Sequence, residues 1–235
     1  AGGQGDRLRP LTNKIPKPMV EINDYPFLDY LINTLLKINI KKILILVGYK
    51  SNKIIDRYSK LKDIIIDFSF SDENTLTGKR IIDAKDKLDD IFLLLYGDNY
   101  WEIEWEKMLE TYKKMNCPVM TTVYSNKNAD GEYGNSNNIQ TKSNIVTEYD
   151  KSRKLNNLNG VEIGYYIINK NIINFDNKKN FSFEELFLPN LIKKKKLSAY
   201  ITNKKYYFIT DINSLNKFRK TVITKNYKPI ENKFF

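Results

Sequence analysis

The chain opens on Ala1 to Met19, AGGQGDRLRPLTNKIPKPM. Gly2, Gly3 and Gly5 fall within five positions, and Arg7, Arg9, Lys14 and Lys17 follow at once. Such a run has little side-chain bulk, so consecutive backbone N–H groups can form a concave nest. The cations behind it add charge, and an anion is the ligand that suits both.

The remaining composition narrows the chemistry. The 235 residues carry a formal charge of +11 and no histidine. Without histidine there is no Ser/His or Cys/His nucleophile, no imidazole proton shuttle and no His-ligated zinc. Carboxylates, lysine, arginine and a hard metal ion are left. Cys117 is the single cysteine, which excludes a disulfide within the chain and fits a reducing, cytoplasmic setting. No stretch approaches the ~18 consecutive apolar residues of a membrane span. The positive charge favours anionic partners, nucleic acid or phosphorylated small molecules. A basic stripe interleaved with aromatics is lacking and the sixteen tyrosines are scattered, so nucleic acid is not the expected partner. The tetralysine Lys193–Lys196 ends a predicted helix, where cations suit the helix dipole, and receives no function.

Periodicity alternates between helix and apolar strand. Phe27, Leu28, Leu31, Leu35 and Ile38 recur at helical spacing after Pro26, and Ile43–Val47 reads as a buried strand. A helix follows Ser51; strands are predicted at Asp63–Phe70, Ile91–Tyr96, Pro118–Tyr124, Ile145–Tyr149 and Val161–Ile168. Helices are predicted at Ile81–Leu88, Glu104–Met115 and Phe183–Lys195, with short strands near Ala199 and Tyr206–Ile209 and a last helix near Asn213. This order predicts an α/β fold, a mixed and mostly parallel sheet with helices on both faces. Residues 1–225 are expected to form one domain, and 226–235 a tail or the start of a following domain. A glycine-rich phosphate loop is normally aimed by a buried strand before it, so a first strand is expected ahead of Ala1.

Gly2-Gly3-x-Gly5-x-Arg7-Leu8 followed by Pro16-Lys17-Pro18 resembles the opening motif of the sugar-phosphate nucleotidylyltransferases, a Rossmann-like family. The resemblance implies that Gly2, Gly3 and Gly5 wrap a nucleoside triphosphate and that Arg7 and Lys17 contact its phosphates. The flanking prolines restrict the backbone of Lys17. Asp6 stands where a small hydroxyl residue is common, and a carboxylate there should pair with Arg7 or Arg9. The strand Ile91–Tyr96 runs into Gly97-Asp98, at the sheet edge where open α/β sheets bind ligands. The family role of Asp98 is Mg²⁺ ligand, which suits a hard cation. Tyr207–Ile212 resembles the approach to the second metal carboxylate, Asp211, although Asn213 and Leu215 replace the usual glycine and proline. Asp211 could equally cap the last helix.

The resemblance places sugar recognition at Glu132-Tyr133-Gly134 (Gly134), Glu148–Lys151 (Lys151, on the sugar phosphate) and Gly160–Gly164 (Glu162, on sugar hydroxyls). Thr75–Arg80 departs most, retaining Thr77-Gly78 before Lys79-Arg80, so base choice does not carry over and Gly78 is assigned a nucleotide contact. Lys79 and Arg80 either touch phosphate or face solvent. The implied reaction is attack of a sugar 1-phosphate on the α-phosphorus of a nucleoside triphosphate, giving a nucleotide sugar and pyrophosphate. Lys151–Tyr166 and Asn180–Glu185 look closest to bacterial heptose 1-phosphate guanylyltransferases, which implies GTP with heptose or mannose 1-phosphate. A hexose 1-phosphate thymidylyl- or cytidylyltransferase stays open, as does a catalytically weakened nucleotide-sugar-binding regulatory homologue. A homo-oligomer, and a phosphatase domain beginning near Asn232–Phe235, are compatible with that branch.

Overall fold

The computed structural model describes residues 1–173 and 179–231; the segment Asn232–Phe235 lies outside them. In chain order, a hairpin of β1 (Glu21–Ile22) and β2 (Tyr25–Pro26) leads into α1 (Phe27–Lys37), β3 (Lys42–Val47), α2 (Ser51–Tyr58) and β4 (Ile65–Phe70). Then come α3 (Thr77–Asp83), β5 (Ile91–Leu95), β6 (Asn99–Trp101), α4 (Trp105–Met115), β7 (Val119–Tyr124), β8 (Ile139–Lys142), β9 (Ile145–Tyr149) and β10 (Val161–Asn169). A π-helical turn (Phe183–Phe187) runs into α5 (Leu188–Lys193), and β11 (Leu197–Thr202), β12 (Tyr206–Phe208) and α6 (Ile212–Lys225) complete the order. No helix among the described residues is long and apolar enough to cross a membrane.

The chain forms two compact units. One comprises Ala1–Thr75, Gly97–Ile103 and the segment from Tyr207 onward; the other comprises Leu76–Tyr96 and Glu104–Tyr206. In the first unit β3 and β4 pair in parallel, from Lys42 opposite Ile65 to Val47 opposite Phe70. The core gathers on Phe218 of α6, whose ring meets Phe27 at 5.2 Å, Tyr100 at 5.0 Å and Tyr207 at 5.7 Å. Edge and tilted contacts of this kind suit the aromatic quadrupole. Asp29 on α1 is wholly buried and accepts a forked pair from Arg57 of α2, at 3.1 Å and 2.5 Å, plus the Tyr58 hydroxyl at 2.6 Å. A buried carboxylate is tolerable only when its lone pairs are filled in this way. The Tyr227 ring lies tilted 4.7 Å from Tyr100, and the Ile230 N–H donates to the Asp29 carbonyl, so residues 226–231 pack on this unit.

The second unit is built on a six-stranded sheet in the order β5-β10-β7-β11-β9-β8. The sheet is mixed, as expected, but its pairings are less parallel than the strand–helix alternation suggests. Only β7 and β11 pair in parallel; β10 enters between β5 and β7 against both, and β9 runs against β11 and β8. Long-range pairing sets these directions, and a local apolar run carries no sign of them. Val161–Ile168 of β10 is buried at every position. Its register slips between Glu162 and Tyr166, with Gly164 at φ 80°. Such a bulge re-aims the side chains beside it.

Candidate functional site

The glycine stretch and its cations lie in the first unit. Gly5 sits at φ 69°, a left-handed conformation, and its carbonyl accepts the Leu8 N–H at 2.9 Å and the Thr12 hydroxyl at 2.9 Å. An added Cβ would stand 3.1 Å from both Lys17 Cβ and Thr12 Cγ2, so any other residue in this turn is strained. The Tyr49 N–H, just beyond β3, donates to the Gly2 carbonyl at 3.1 Å, and the Tyr49 hydroxyl donates to the Thr12 carbonyl at 3.1 Å. The loop is thus pinned from the strand end, while the space around Gly3 is open. Asp6 pairs with Arg9 at 2.7 Å, which disposes of its charge and leaves Arg7 exposed.

Lys17 lies in a single helical turn after Pro16, and its ammonium donates to the Asp98 carboxylate at 2.7 Å. The side chains of Lys17 and Asp98 are 14% and 33% exposed, so this pair is held at the edge of the protein rather than in free solvent. Gly97 packs beside the first stretch: a Cβ there would approach Pro18 Cγ at 3.3 Å and the Ala1 backbone at 3.5 Å. The first and second motifs therefore meet. Asp211 is brought near by the backbone, because the Ile209 N–H donates to the Asp98 carbonyl at 3.0 Å. Asp211 caps α6: its carboxylate accepts the Ser214 N–H at 2.8 Å, and the Ser214 hydroxyl accepts the Asp211 N–H at 2.9 Å. The Ser214 N–H holds its pKa below the usual carboxylate value, with the Ser214 hydroxyl and the Arg7 cation adding to the effect. The cap and a ligand role can coexist on one carboxylate, since it has lone pairs beyond those the cap uses.

The other residues singled out from the sequence lie in the second unit. Gly78 falls inside α3, which begins at Thr77, four residues ahead of where periodicity starts that helix. Its N–H donates to the Phe181 carbonyl at 3.1 Å, and a Cβ would stand 2.3 Å from the Phe181 ring. Close packing thus requires glycine here. Lys79 is paired with Asp83 along the helix, and Arg80 is buried, so neither simply faces solvent. Gly134 lies at φ 60° in a turn held by Asn126, which donates to its carbonyl at 3.0 Å and accepts the Gly131 N–H at 2.8 Å. Lys151 is exposed and pairs with Glu185 at 3.1 Å. Arg153 packs its guanidinium 4.0 Å from the Tyr133 ring centroid and donates to the Ser136 carbonyl at 2.7 Å, which ties the loop after β9 to the Tyr133–Gly134 turn. No sequence signal singled out Arg153.

Glu162 is the unusual group of this unit. It sits in the β10 bulge with 9% exposure, accepts the Gly164 N–H, and receives the Thr121 hydroxyl at 3.4 Å. Burial pushes its pKa up to about 7, and the nearby Glu184 adds to that. A carboxyl poised near neutrality by desolvation marks a binding or reacting position.

Comparison with known proteins agrees with this construction. Residues 1–221 match the family described as nucleotidyl transferase. The chain is 33% identical over 211 residues to D-glycero-alpha-D-manno-heptose 1-phosphate guanylyltransferase of Campylobacter jejuni, covering 88% of this chain and 90% of that one. It is 30% identical over 224 residues to the protein of the same name in Aneurinibacillus thermoaerophilus, with 93% of each covered. Among solved structures, HddC from Yersinia pseudotuberculosis superposes with a TM-score of 0.77 at 25% identity, covering 92% of this chain and 93% of that one. A glycine loop pinned to a strand end, a lysine–aspartate pair beside it and a family match spanning 221 residues converge, and the chain belongs to the nucleotidyl transferase family.

Proposed function

We propose that this nucleotidyltransferase moves the guanylyl group of GTP onto a heptose or mannose 1-phosphate, forming a GDP-sugar and pyrophosphate. The observation that carries the phosphate end is the Lys17–Asp98 pair, 2.7 Å apart beside the Gly2–Gly5 loop. The choice of substrates is supported by the names of the two heptose 1-phosphate guanylyltransferases, by the mannose-1-phosphate guanyltransferase of Saccharomyces cerevisiae, 26% identical over 205 residues, and by the Yersinia HddC structure complexed with GMP-PN. A cytoplasmic location goes with these substrates and with the free thiol of Cys117.

In this mechanism an oxygen of the sugar phosphate attacks the α-phosphorus, the bond from that phosphorus to the bridging oxygen breaks, and pyrophosphate leaves with the electron pair. A phosphate monoester has a second pKa of about 6, so its nucleophilic oxygen is already ionised and no histidine base is needed. Gly2, Gly3 and Gly5 give the triphosphate a backbone cradle, and Arg7 and Lys17 neutralise charge on it. Lys151 receives the sugar phosphate once its exposed pair with Glu185 opens, and Glu162 receives sugar hydroxyls. A divalent metal fits the donor chemistry: Asp98 and Asp211 offer hard carboxylate oxygens, and no cluster of three ligating side chains exists among the described residues. The residues that would hold Mg²⁺ are thus two aspartates, with substrate phosphate oxygens completing the shell. Such an ion supplies charge neutralisation on the phosphates.

A second reading, a nucleotide-sugar-binding homologue with weakened catalysis, is favoured by one observation: the Gly78 N–H is already used by Phe181 and is not free for a nucleotide. Four nucleoside triphosphates tested against mannose, heptose and glucose 1-phosphates, scored by pyrophosphate release, separate the two. Release with GTP and mannose or heptose 1-phosphate is the expected result; binding of GDP-mannose without release from any pair supports the weakened homologue.

A further inference from the structure

Glu162 does not stand alone in its unit. The Tyr166 ring lies 6.2 Å from Tyr96 and 5.1 Å from Phe183, whose ring stacks 4.8 Å from Phe187. This row brings two carboxylates to one place, Glu162 from the β10 bulge and Glu184 from the π-helical turn. The Tyr166 hydroxyl stands beside Glu162, near enough to favour its charged form, and the Tyr96 hydroxyl stands beside Glu184. Neither hydroxyl makes an aligned hydrogen bond, although both oxygens are sealed from solvent. Tyr166 is wholly buried. Tyr149 also faces the two carboxylates.

Buried hydroxyls short of a well-aligned partner are costly, and a carboxyl group or a bound hydroxyl beside them is what relieves that cost. The nearby Glu184 adds to the burial that raises Glu162, and donors placed between two carboxyl groups ease such repulsion. The side chains of Glu184, Tyr96 and Tyr149 are only half-buried, so the cluster reaches the surface on that side, and the Ser182 hydroxyl holds the outer carboxylate in place at 2.8 Å. What suits two acceptor carboxylates flanked by two donor–acceptor phenols is a ligand carrying several adjacent hydroxyls.

We propose that Glu184, with the Tyr96 and Tyr166 hydroxyls, joins Glu162 in a polyol-reading site that determines which sugar 1-phosphate is accepted. This inference rests on the proposed transfer to a sugar 1-phosphate and adds residues that the family motifs do not assign. Glu184 contacts the sugar; Tyr166 acts through Glu162 and is a positioning residue.

The test titrates mannose 1-phosphate, and inorganic phosphate as the sugar-free probe, into the wild-type chain and into Glu184→Gln, Tyr96→Phe and Tyr166→Phe. Pyrophosphate release with GTP is measured alongside. Glu184→Gln keeps the size of the side chain and its bond to Ser182, and Tyr96→Phe removes one oxygen while keeping the ring. The wild type should bind mannose 1-phosphate more tightly than inorganic phosphate, and Glu184→Gln should erase about tenfold of that preference, the scale of one charged hydrogen bond. In turnover the KM for mannose 1-phosphate rises about tenfold, while kcat stays within about threefold and the KM for GTP is unmoved. Should Glu184→Gln not fold, the same split in Tyr96→Phe supports the site. If the wild type turns over and both variants keep their KM within twofold, the inference is overturned and the transfer reaction stands. If sugar preference is lost in Glu184→Gln but no variant or wild type releases pyrophosphate, the site stands and the transfer reaction falls.

Discussion

Replacing Glu162 by glutamine should alter how stability depends on pH. The carboxyl has an ordinary value of 4.5 and is raised to about 7 by burial in the β10 bulge. Below pH 4.5 the folded and unfolded chains both hold the proton, so the group contributes no difference. Between those two values the unfolded chain releases it and the folded chain does not, so folding binds a proton and stability falls as pH rises. Taken from pH 5 to pH 8, two-state linkage gives a loss of roughly 2.5 kcal/mol from this one group. Glu162→Gln has no proton to lose and should escape that loss. Urea unfolding of both proteins at pH 5, 6, 7 and 8 checks the figure, with the variant gaining on the wild type mostly between pH 5 and 7 and levelling off above. A constant difference between them at all four pH values would refute the claim that Glu162 is held neutral by its surroundings.

Four further outcomes follow from the geometry. Lys17→Ala and Asp98→Ala should each lower turnover more than ~100-fold with the fold retained, by circular dichroism, because preorganised charge at the phosphates is lost. Asp211→Asn keeps a good helix cap and should leave the melting temperature within a few degrees of wild type while turnover falls steeply; equal turnover would reduce Asp211 to its cap. Gly5→Ala forces φ 69° on a β-carbon that meets Lys17 and Thr12, and should cost about 1 to 2 kcal/mol with a raised KM for the nucleotide. Arg57→Leu strands the buried Asp29 carboxylate and should cost about 3 to 5 kcal/mol in chemical denaturation.

Much of the phosphate end was legible in the sequence because its residues are contiguous. Three glycines, Arg7 and Lys17 fall in one stretch, and Asp98 follows an apolar strand that can be seen at a glance. The structure adds what joins them: the close approach of Gly97 to Ala1 and the bond from Ile209 to Asp98. Asp211 was readable both as cap and as acid, and the cap is plainly formed. The start of α3 was misplaced because Gly78 is a poor helix former, yet packing under Phe181 holds it there. Short strands such as β6 and β8 escaped periodicity, as did the antiparallel course of β10. The polyol cluster was the least visible part. Tyr96, Tyr149, Tyr166 and Glu184 are spread over 89 residues, and only the sheet order and the bulge bring them together.

In the proposed reaction a sugar 1-phosphate attacks the α-phosphorus of GTP. Following the reaction of mannose 1-phosphate and GTP by ³¹P NMR, with ¹⁸O in the sugar–phosphate bridge, tests it directly. The sugar's own phosphorus, still bonded to the labelled bridge oxygen, is expected to become the β-phosphorus of a GDP-sugar while unlabelled pyrophosphate is released. Loss of the label from that bridge, or release of orthophosphate in place of pyrophosphate, would contradict it.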